Sequence, residues 1–401
     1  MTIKIASRIN EIPSSPTLTL NNKAKEMANK GINVINFGVG EPDFNTPDII
    51  KEAGIEAIKN NFTRYTANAG ILELRAAICD KFKNDNNLIY KPDDILVSAG
   101  AKASIVFTLM AICEPGDKVL IPVPYWVSYP SQVMLAGGVP IYVNTSEENS
   151  FKITAEQIEK GIKENGNVKV LILNSPNNPT GAVYSKAELT EIAEICLKND
   201  ICVLSDEIYE KLVYDGTEFV SIAQISEEMK ENTIIINGVS KSFAMTGWRL
   251  GYSAGPANII KAAGKIQEHA TSNVNSITQK AALVAYTKDD GSVEKMRIEF
   301  EKRKHYLVNA LRDIPNITCM EPKGAFYAVP NISWYLKNNH KSIKNSNDLS
   351  LYLLEKCHIA AVGGDSFGMD DIVRFSYAVS MENLIEGVRR FKEGLKQLII
   401  Q

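Results

Sequence analysis

The sequence predicts an α/β protein whose main sheet is mostly parallel. Five short apolar runs recur in the middle of the 401-residue chain, each followed by a turn-rich or helical segment. The runs are DILVS (94–98), KVLIPVP (118–124), VKVLILN (168–174), ICVLS (201–205) and TIIIN (233–237). Continuous β-branched runs that alternate with helices are typical of parallel strands that are buried on both faces. We therefore predict a large α/β domain over residues 50–285.

Helical segments fit between these runs. AGAKASIVFTLMAIC (99–113) follows the first run, and its apolar positions suit a buried helix. Between the third and fourth runs, Ser185 and Glu188 have the spacing of a capping box, in which each side chain accepts a hydrogen bond from the other residue's backbone N–H. ELTEIAEI (188–195) then carries its apolar residues on one helical face, which predicts a helix packed against the sheet.

The last hundred residues predict a second, smaller α+β unit. Two long helical stretches, 291–313 and 381–399, flank short strands near 325–329 and 372–378. Helices gathered beside short strands are typical of α+β units. We expect the N-terminal segment to pack with this unit, so that residues 1–49 and 286–401 form a small domain.

Composition excludes several classes of protein. The formal net charge is −3 and the chain has no long basic run, so we expect no nucleic-acid or membrane partner. The longest nearly apolar stretch, 103–113, is too short to span a bilayer. Six scattered cysteines show no C-x-x-C pattern and four histidines show no H-E-x-x-H pattern, so we expect no metal site. These features predict a cytoplasmic protein with reduced thiols.

Polar residues follow the ends of all five runs. In open parallel sheets, ligands bind at the carboxyl ends of the strands, where such residues converge. The residues that follow the five runs are, in chain order, Ala101 and Lys102 at a helix start, Trp126, the segment SPNNPTG with Asn178, Asp206 and Tyr209, and Ser240 and Lys241. The sequence therefore predicts one site with anion donors, an aromatic ring, an amide, a carboxylate, a phenol and an amine.

This combination of groups suits a pyridine aldehyde phosphate. A lysine amine such as Lys241 can form a Schiff base with an aldehyde, and a carboxylate such as Asp206 can keep a ring nitrogen protonated. Arg249, eight positions after Lys241, offers parallel donors to phosphate oxygens. No G-x-G-x-x-G follows any run, which argues against a dinucleotide-dependent dehydrogenase.

Seven motifs extend the pattern over most of the chain. GEPDFNTP, RYTANAG, PYWVSYP, NSPNNPTG, SDEIYE, SKSFAMTGWRLGY and VRFSYA occur in this order between residues 39 and 378. With these motifs the chain resembles the class I aminotransferases, which are fold-type I pyridoxal-phosphate enzymes. Within that family it is most similar to the bacterial aspartate aminotransferase subgroup. The resemblance implies a homodimer with shared active sites.

The resemblance also implies roles at the cofactor ring. Lys241 would form the Schiff base with pyridoxal 5'-phosphate and would act as general base and acid. Asp206 would pair with the pyridine nitrogen, and Trp126 would stack on the ring. Tyr209 and Asn178 would contact the ring hydroxyl. The catalytic residues implied by the family are therefore Lys241, Asp206 and Tyr209.

Phosphate contacts are implied in the same way. The residues implied near the phosphate are Ala101, Lys102, Ser240 and Arg249, and Tyr65 would reach the phosphate of the other subunit. Some relatives have a serine three residues before the lysine, where this chain has Gly238. We therefore expect one phosphate hydroxyl to be missing.

Substrate contacts complete the prediction. Arg374 would bind the substrate α-carboxylate close to the Gly40 backbone, with Trp126 and Asn178 beside it, and Lys102 and Thr17 would contact a distal carboxylate. The resemblance thus implies transfer of the amino group of L-aspartate to 2-oxoglutarate. Activity toward prephenate, alanine or aromatic amino acids, elimination chemistry on the same fold, and a non-enzymatic regulator stay open as alternatives.

Overall fold

The structure, a computed structural model, describes residues 3–10, 12–13, 16–340 and 343–399, without the side chains of residues 7, 8 and 16–18. Its strands, in chain order, are β1 (Ile35–Asn36), β2 (Ile95–Ser98), β3 (Lys118–Val123), β4 (Val139–Asn144), β5 (Val168–Asn174), β6 (Cys202–Asp206), β7 (Thr233–Gly238), β8 (Gly251–Ala254), β9 (Thr318–Cys319), β10 (Tyr327–Ala328), β11 (Pro330–Asn331), β12 (Ile359–Ala360), β13 (Val362–Gly363) and β14 (Val373–Ser376). Its α-helices are α1 (Ser7–Asn10), α2 (Pro16–Asn29), α3 (Asp48–Lys59), α4 (Leu72–Asn86), α5 (Ala101–Ile112), α6 (Tyr129–Leu135), α7 (Ala155–Asn165), α8 (Lys186–Lys198), α9 (Glu227–Glu231), α10 (Ala257–Ala270), α11 (Ser276–Thr287), α12 (Ser292–Arg312), α13 (Ser333–Lys337), α14 (Ser346–Cys357) and α15 (Met381–Ile399).

The large sheet confirms the predicted α/β fold class. Its seven strands have the order β2-β8-β7-β6-β5-β3-β4. Strand β8 is antiparallel to both of its neighbours, and the remaining adjacent pairs from β7 to β4 are parallel. Each of the five predicted apolar runs forms one of these strands. The central strands β5, β6 and β7 are buried along almost their whole length, as their continuous apolar sequences predict.

The sequence patterns did not predict two strands of this sheet. Strand β4, with the sequence VPIYVN, lies at the sheet edge and is largely exposed, so its apolar residues do not form a continuous buried run. Strand β8, with the sequence GYSA, is four residues long and contains small residues of low strand propensity. It becomes a strand because β2 and β7 pair with it on both sides.

Helix α8 begins as its sequence predicts. The Ser185 hydroxyl accepts a hydrogen bond from the Glu188 backbone N–H at 3.4 Å, and the Glu188 carboxylate accepts one from the Ser185 backbone N–H at 2.7 Å. Leu189 and Ile192 are buried beneath the helix. The capping box and the apolar face therefore act together to seat α8 on the sheet.

The small unit gathers both ends of the described chain. Strand β1 pairs in parallel with β12, and Phe37, just after β1, packs its ring 5.0 Å from that of Phe375 in β14. Strands β10, β14 and β13 form an antiparallel sheet, and the long helices α12 and α15 cover the core beside it. Domain boundaries near residues 50 and 285 stay a prediction. In the part of the chain that the structure describes, no helix is long and apolar enough to cross a membrane.

The start of α5 packs closely against strand β8 of the large sheet at a glycine of that strand. A Cβ atom on Gly251 would overlap the backbone nitrogen of Ala101 and lie 2.6 Å from the carbonyl carbon of Gly100. Gly238, the partner of Gly251 on β7, also lacks room, because a Cβ atom there would lie 2.7 Å from the Gly251 Cα. Only glycine permits this approach of helix start to strand.

We expect Gly251→Ala to lower the free energy of unfolding by about 1–3 kcal/mol, because the added methyl group must displace backbone atoms of α5. Urea unfolding followed by circular dichroism measures this change. Gly247→Ala is the matched control, since nothing lies within 4 Å of a Cβ atom at that position. Equal stability of the two variants would contradict the proposed contact.

Candidate active site

A cavity of about 380 Å³ opens where the carboxyl edge of the large sheet faces the small unit. The structure brings to its walls the predicted site residues Gly40, Ala101, Lys102, Trp126, Asn178, Asp206, Tyr209, Ser240, Lys241, Arg249 and Arg374. Two predicted residues are not placed there. Tyr65 is 91% exposed and does not line the cavity, and the Thr17 side chain lies outside the described residues.

Asp206 presents a buried carboxylate at the end of β6. The Tyr129 hydroxyl donates a hydrogen bond to its Oδ2 atom at 2.7 Å, and the Ile208 backbone N–H donates to Oδ1 at 3.3 Å. Burial raises the pKa of Asp206 to about 6, while these hydrogen bonds and the charge of Lys241 act in the opposite direction. The carboxylate is therefore ionised above about pH 6 and available to a cationic partner.

Lys241 lies just beyond the adjacent parallel strand, β7. Its amine donates a hydrogen bond to the Gly40 carbonyl oxygen. Burial lowers the pKa of Lys241 to about 8, an effect that Glu41 opposes and the charges of Arg374 and Arg249 reinforce. A lysine with a lowered pKa supplies a neutral amine near physiological pH, which is the form that attacks carbonyl groups and accepts protons.

The start of α5 forms an anion-binding corner. Its N-cap residue, Gly100, offers no side chain, and the first turn contains no acidic residue, so the free backbone N–H groups face the cavity uncapped. Arg249 lies against Gly100, where a Cβ atom would approach its Nη2 atom to 2.6 Å. Ser240 lines the same cavity, whereas Gly238 does not. The tight contact between Gly238 and Gly251 explains why no side chain stands at position 238.

Arg374 is a buried guanidinium that has no carboxylate partner in the part of the chain that the structure describes. Its Nη1 atom donates to the Asn178 side-chain oxygen at 2.9 Å, and its Nη2 atom donates to the Gly38 carbonyl at 2.8 Å. Its Nε atom has no hydrogen-bond partner among the described residues. Burial lowers the pKa of Arg374, which reflects the cost of an unpaired charge away from water. An anionic ligand would relieve that cost.

Lys102 and Trp126 stand together on another wall. The Lys102 amine lies 5.0 Å from the Trp126 ring centroid, within cation–π distance. Burial lowers the pKa of Lys102, and the charge of Arg249 adds to the effect. The Trp126 ring in turn packs edge-on against Tyr129, with centroids 5.3 Å apart.

Two tyrosines at the cavity were not predicted as site residues. Tyr129 lies three residues after Trp126 in the motif PYWVSYP, at the start of α6, so its place in that motif was a signal that could have identified it. The Tyr327 hydroxyl lies 2.9 Å from that of Tyr209. Tyr327 belongs to β10 of the small unit, and no local sequence pattern connects it with Tyr209.

The lining as a whole fits a pyridine aldehyde phosphate. Its charged side chains are the cations Lys102, Lys241, Arg249 and Arg374 and the acids Glu41 and Asp206. The excess of positive charge suits a phosphate together with substrate carboxylates. The amine, the buried carboxylate, the phenol and the uncapped helix start each match a different part of such a cofactor.

Asp215, Glu301 and His305 form a group with metal-ligand chemistry away from the cavity. The Asp215 carboxylate is already bound by the amines of Lys304 and Lys323, and it also contacts His305. This arrangement is an ion-pair network at the surface of α12.

Comparisons with known proteins agree with this chemistry. Residues 32–391 match the family model described as "Aminotransferase class I and II". The chain is 46% identical over 392 residues to an aspartate aminotransferase from Bacillus sp. strain YM-2, covering 98% of this chain and 99% of that one. It is 45% identical over 396 residues to a probable aspartate/prephenate aminotransferase from Aquifex aeolicus, covering 98% and 99%.

A solved structure gives the same result for the fold. The aspartate aminotransferase from Thermus thermophilus with maleate superimposes with a TM-score of 0.92 at 37% sequence identity. The match covers 98% of this chain and 100% of the other.

We expect Tyr129→Phe to raise the pKa of Asp206 above about 6, because it removes a hydrogen bond that lowers that pKa. Affinity of the apo-protein for pyridoxal phosphate should fall with decreasing pH as Asp206 becomes protonated, and in the variant this fall should occur at higher pH. Fluorescence titrations between about pH 5 and 9 measure the midpoint, with the shift expected to be roughly one unit.

Tyr125→Phe is the control for the Tyr129 variant. Tyr125 stacks on Tyr142 and does not line the cavity, so its replacement should leave the midpoint unchanged. An unchanged midpoint in Tyr129→Phe would contradict the role given to its hydrogen bond.

Proposed function

Because the chain belongs to the class I and II aminotransferases, enzymes of fold-type I whose cofactor is pyridoxal 5'-phosphate, we propose that it transfers the amino group of L-aspartate to 2-oxoglutarate. The products are oxaloacetate and L-glutamate. The observation that carries this proposal is the placement of two cations, Arg374 and Lys102, in the lining of one cavity, where their contacts among the described residues are neutral groups: Asn178 and the Gly38 carbonyl for Arg374, and the Trp126 ring for Lys102. Each can receive one carboxylate of a dicarboxylic substrate.

The relatives support a dicarboxylic substrate. The Bacillus protein is named for aspartate, and the Thermus structure contains maleate, a four-carbon dicarboxylate. The Aquifex protein is named for both aspartate and prephenate. Prephenate also carries two carboxylates, so the same pair of cations suits it, and prephenate is the second candidate substrate.

The residues of the cavity would hold the cofactor by separate groups. Asp206 would face the ring nitrogen, Tyr209 and Asn178 the ring hydroxyl, and Trp126 the ring face. Phosphate donors would come from Ser240, Arg249, and the start of α5 at Ala101 and Lys102. When bound, the cofactor attaches to an amine through its aldehyde and draws electrons from the substrate Cα.

Proton transfer falls to Lys241. Its Nζ atom would take the proton from the substrate Cα and would then deliver it to the cofactor carbon. The amine can do both because burial lowers the pKa of Lys241 to about 8. Asp206 would hold a proton on the ring nitrogen by presenting a buried negative charge. Arg374 would fix the α-carboxylate next to the Gly40 backbone, so that the Cα–H bond points toward the amine.

A homodimer with shared active sites is part of the same proposal. The Tyr65 side chain is exposed and does not line the cavity of its own chain, as expected of a residue that serves a partner subunit. We also propose a cytoplasmic location, in keeping with the six cysteines, which form no disulfide in the structure.

We expect Lys241→Ala to retain bound pyridoxal phosphate but to lose turnover by roughly 10³-fold or more, because it lacks the amine that moves the proton. Absorbance of the dialysed protein reports the cofactor, and a coupled assay reports oxaloacetate. Lys261→Ala, on the exposed face of α10, is the control and should keep parent activity. Parent turnover in Lys241→Ala would overturn the assignment.

We expect aspartate and glutamate to convert the bound cofactor rapidly, and alanine, phenylalanine and a basic amino acid slowly. Lys102→Met keeps the side-chain length but removes the charge. It should lower kcat/KM for aspartate roughly 10- to 100-fold and that for alanine much less. Stopped-flow absorbance with each amino acid tests this.

Several outcomes of the substrate series distinguish the alternatives. Faster conversion of alanine or phenylalanine by the parent protein would contradict the aspartate proposal while leaving the aminotransferase class. Release of ammonia or a cyclised product would indicate lyase chemistry. Using prephenate in place of 2-oxoglutarate as amino acceptor tests the second candidate substrate.

A further inference from the structure

Tyr327 contacts three functional parts of the cavity at once. Its hydroxyl lies 2.9 Å from the Tyr209 hydroxyl, and its ring centroid lies 4.4 Å from the Arg374 guanidinium carbon. A Cβ atom on Gly40 would lie 3.1 Å from the same hydroxyl. Tyr327 is fully buried and belongs to β10 of the small unit, whereas Tyr209 lies in the turn that follows β6 of the large sheet. One side chain therefore touches the phenol expected at the cofactor ring, the guanidinium expected at the substrate carboxylate, and the backbone beside Lys241.

In the hydrogen bond between the Tyr209 and Tyr327 hydroxyls, either oxygen can be the donor. Each hydroxyl has one proton, so only one of the two can donate to the other. Burial raises the pKa of both Tyr209 and Tyr327, which keeps both phenols neutral. Among the described residues, the Tyr327 hydroxyl has no other hydrogen-bond partner than Tyr209. If Tyr327 donates to Tyr209, the Tyr209 proton is free to point into the cavity.

The contact with Arg374 is of a different kind. The guanidinium is fully buried, and the rings of Tyr327 and Phe367 lie 4.4 and 5.0 Å from its central carbon. Aromatic rings at these distances attract the cation and restrict its rotation, and the effect is largest where water is excluded. Its hydrogen bonds to Asn178 and Gly38 fix two of its nitrogens. The two rings restrict tilting of the guanidinium plane, which those two hydrogen bonds alone leave free.

We propose that Tyr327 is a positioning residue that orients the Tyr209 hydroxyl through its own hydroxyl and the Arg374 guanidinium through its ring. The inference deepens the proposed transamination, on which it rests for the two ligand groups. The two contacts use different parts of one side chain, so different substitutions separate them.

The test uses three variants of the full-length holo-protein and two readouts. The first readout is the pH at which the visible absorbance of the bound cofactor changes, measured without substrate. The second is the dissociation constant for maleate, an unreactive dicarboxylate. Thermal unfolding of each variant verifies that it is folded.

Tyr327→Phe removes only the hydroxyl. Tyr209 then loses the donor that directs its proton into the cavity, and it becomes a weaker donor to the ring oxygen. The ring oxygen holds negative charge less well, so the absorbance midpoint should move to higher pH, by roughly half a unit or more. Binding of maleate should change by less than about twofold, because the ring still faces Arg374.

Phe367→Leu is the matched control on the other contact. It removes a ring from Arg374 without touching Tyr209, so it should weaken maleate binding roughly threefold to tenfold and leave the absorbance midpoint in place. Tyr327→Leu removes both contacts and should change both readouts.

The outcomes separate this inference from the proposed function. An unchanged midpoint in Tyr327→Phe, or unchanged maleate binding in a folded Tyr327→Leu, would overturn the role of Tyr327. The absorbance titration needs only bound cofactor, so it is informative even if the parent protein does not transaminate aspartate. Failure of the parent to convert any amino acid would instead refute the proposed function.

Discussion

The removal of charged groups from water is the constraint on which the rest of the site depends. Asp206 and Arg374 are buried and Lys241 is partly buried, and removal from water shifts the pKa of each toward its neutral form. The protein compensates with neutral partners rather than ion pairs: a tyrosine hydroxyl for Asp206, a backbone carbonyl for Lys241, and an amide with a carbonyl for Arg374. These partners keep each group in place while leaving its charge available to a ligand. Without a ligand, this cavity keeps charged groups away from water, which costs free energy. Binding of an anionic cofactor and substrate therefore stabilises the folded protein.

The fold follows from local patterns, and so does the half of the site that the large sheet supplies. Parallel pairing places Asn174 beside Asp206 and puts the end of β7 next to them, so residues just past the apolar runs had to converge. Strand β8 escaped prediction because its short sequence of mostly small residues becomes a strand through pairing with β2 and β7. Strand β4 escaped prediction because it is a largely exposed edge strand and forms no continuous buried run. Membership of the aminotransferase family confirms the class of enzyme that the motifs indicated.

The other half of the site comes from residues far away in sequence. Arg374 was identified only through a family motif, since its strand neighbours Val373 and Phe375 give no sign of its burial. Tyr327 has neither a motif role nor a local signal, because its partners Tyr209 and Arg374 are brought to it by packing of the small unit on the large sheet. Tyr65 was assigned a function that depends on a second chain, which no pattern within one sequence can display.

The meeting of the two chain ends has a consequence for synthesis. The Arg374 guanidinium bonds to the Gly38 carbonyl across 336 residues of sequence, and β1 pairs with β12. During translation, β1 and the apolar Phe37 emerge long before the residues that bury them. The nascent chain thus carries an exposed apolar segment until β12 and β14 have left the ribosome, which is the period when aggregation competes with folding. A ribosome that stops early releases a chain whose large sheet is complete in sequence but which lacks both the clamp for the carboxylate and the strand that anchors its own beginning.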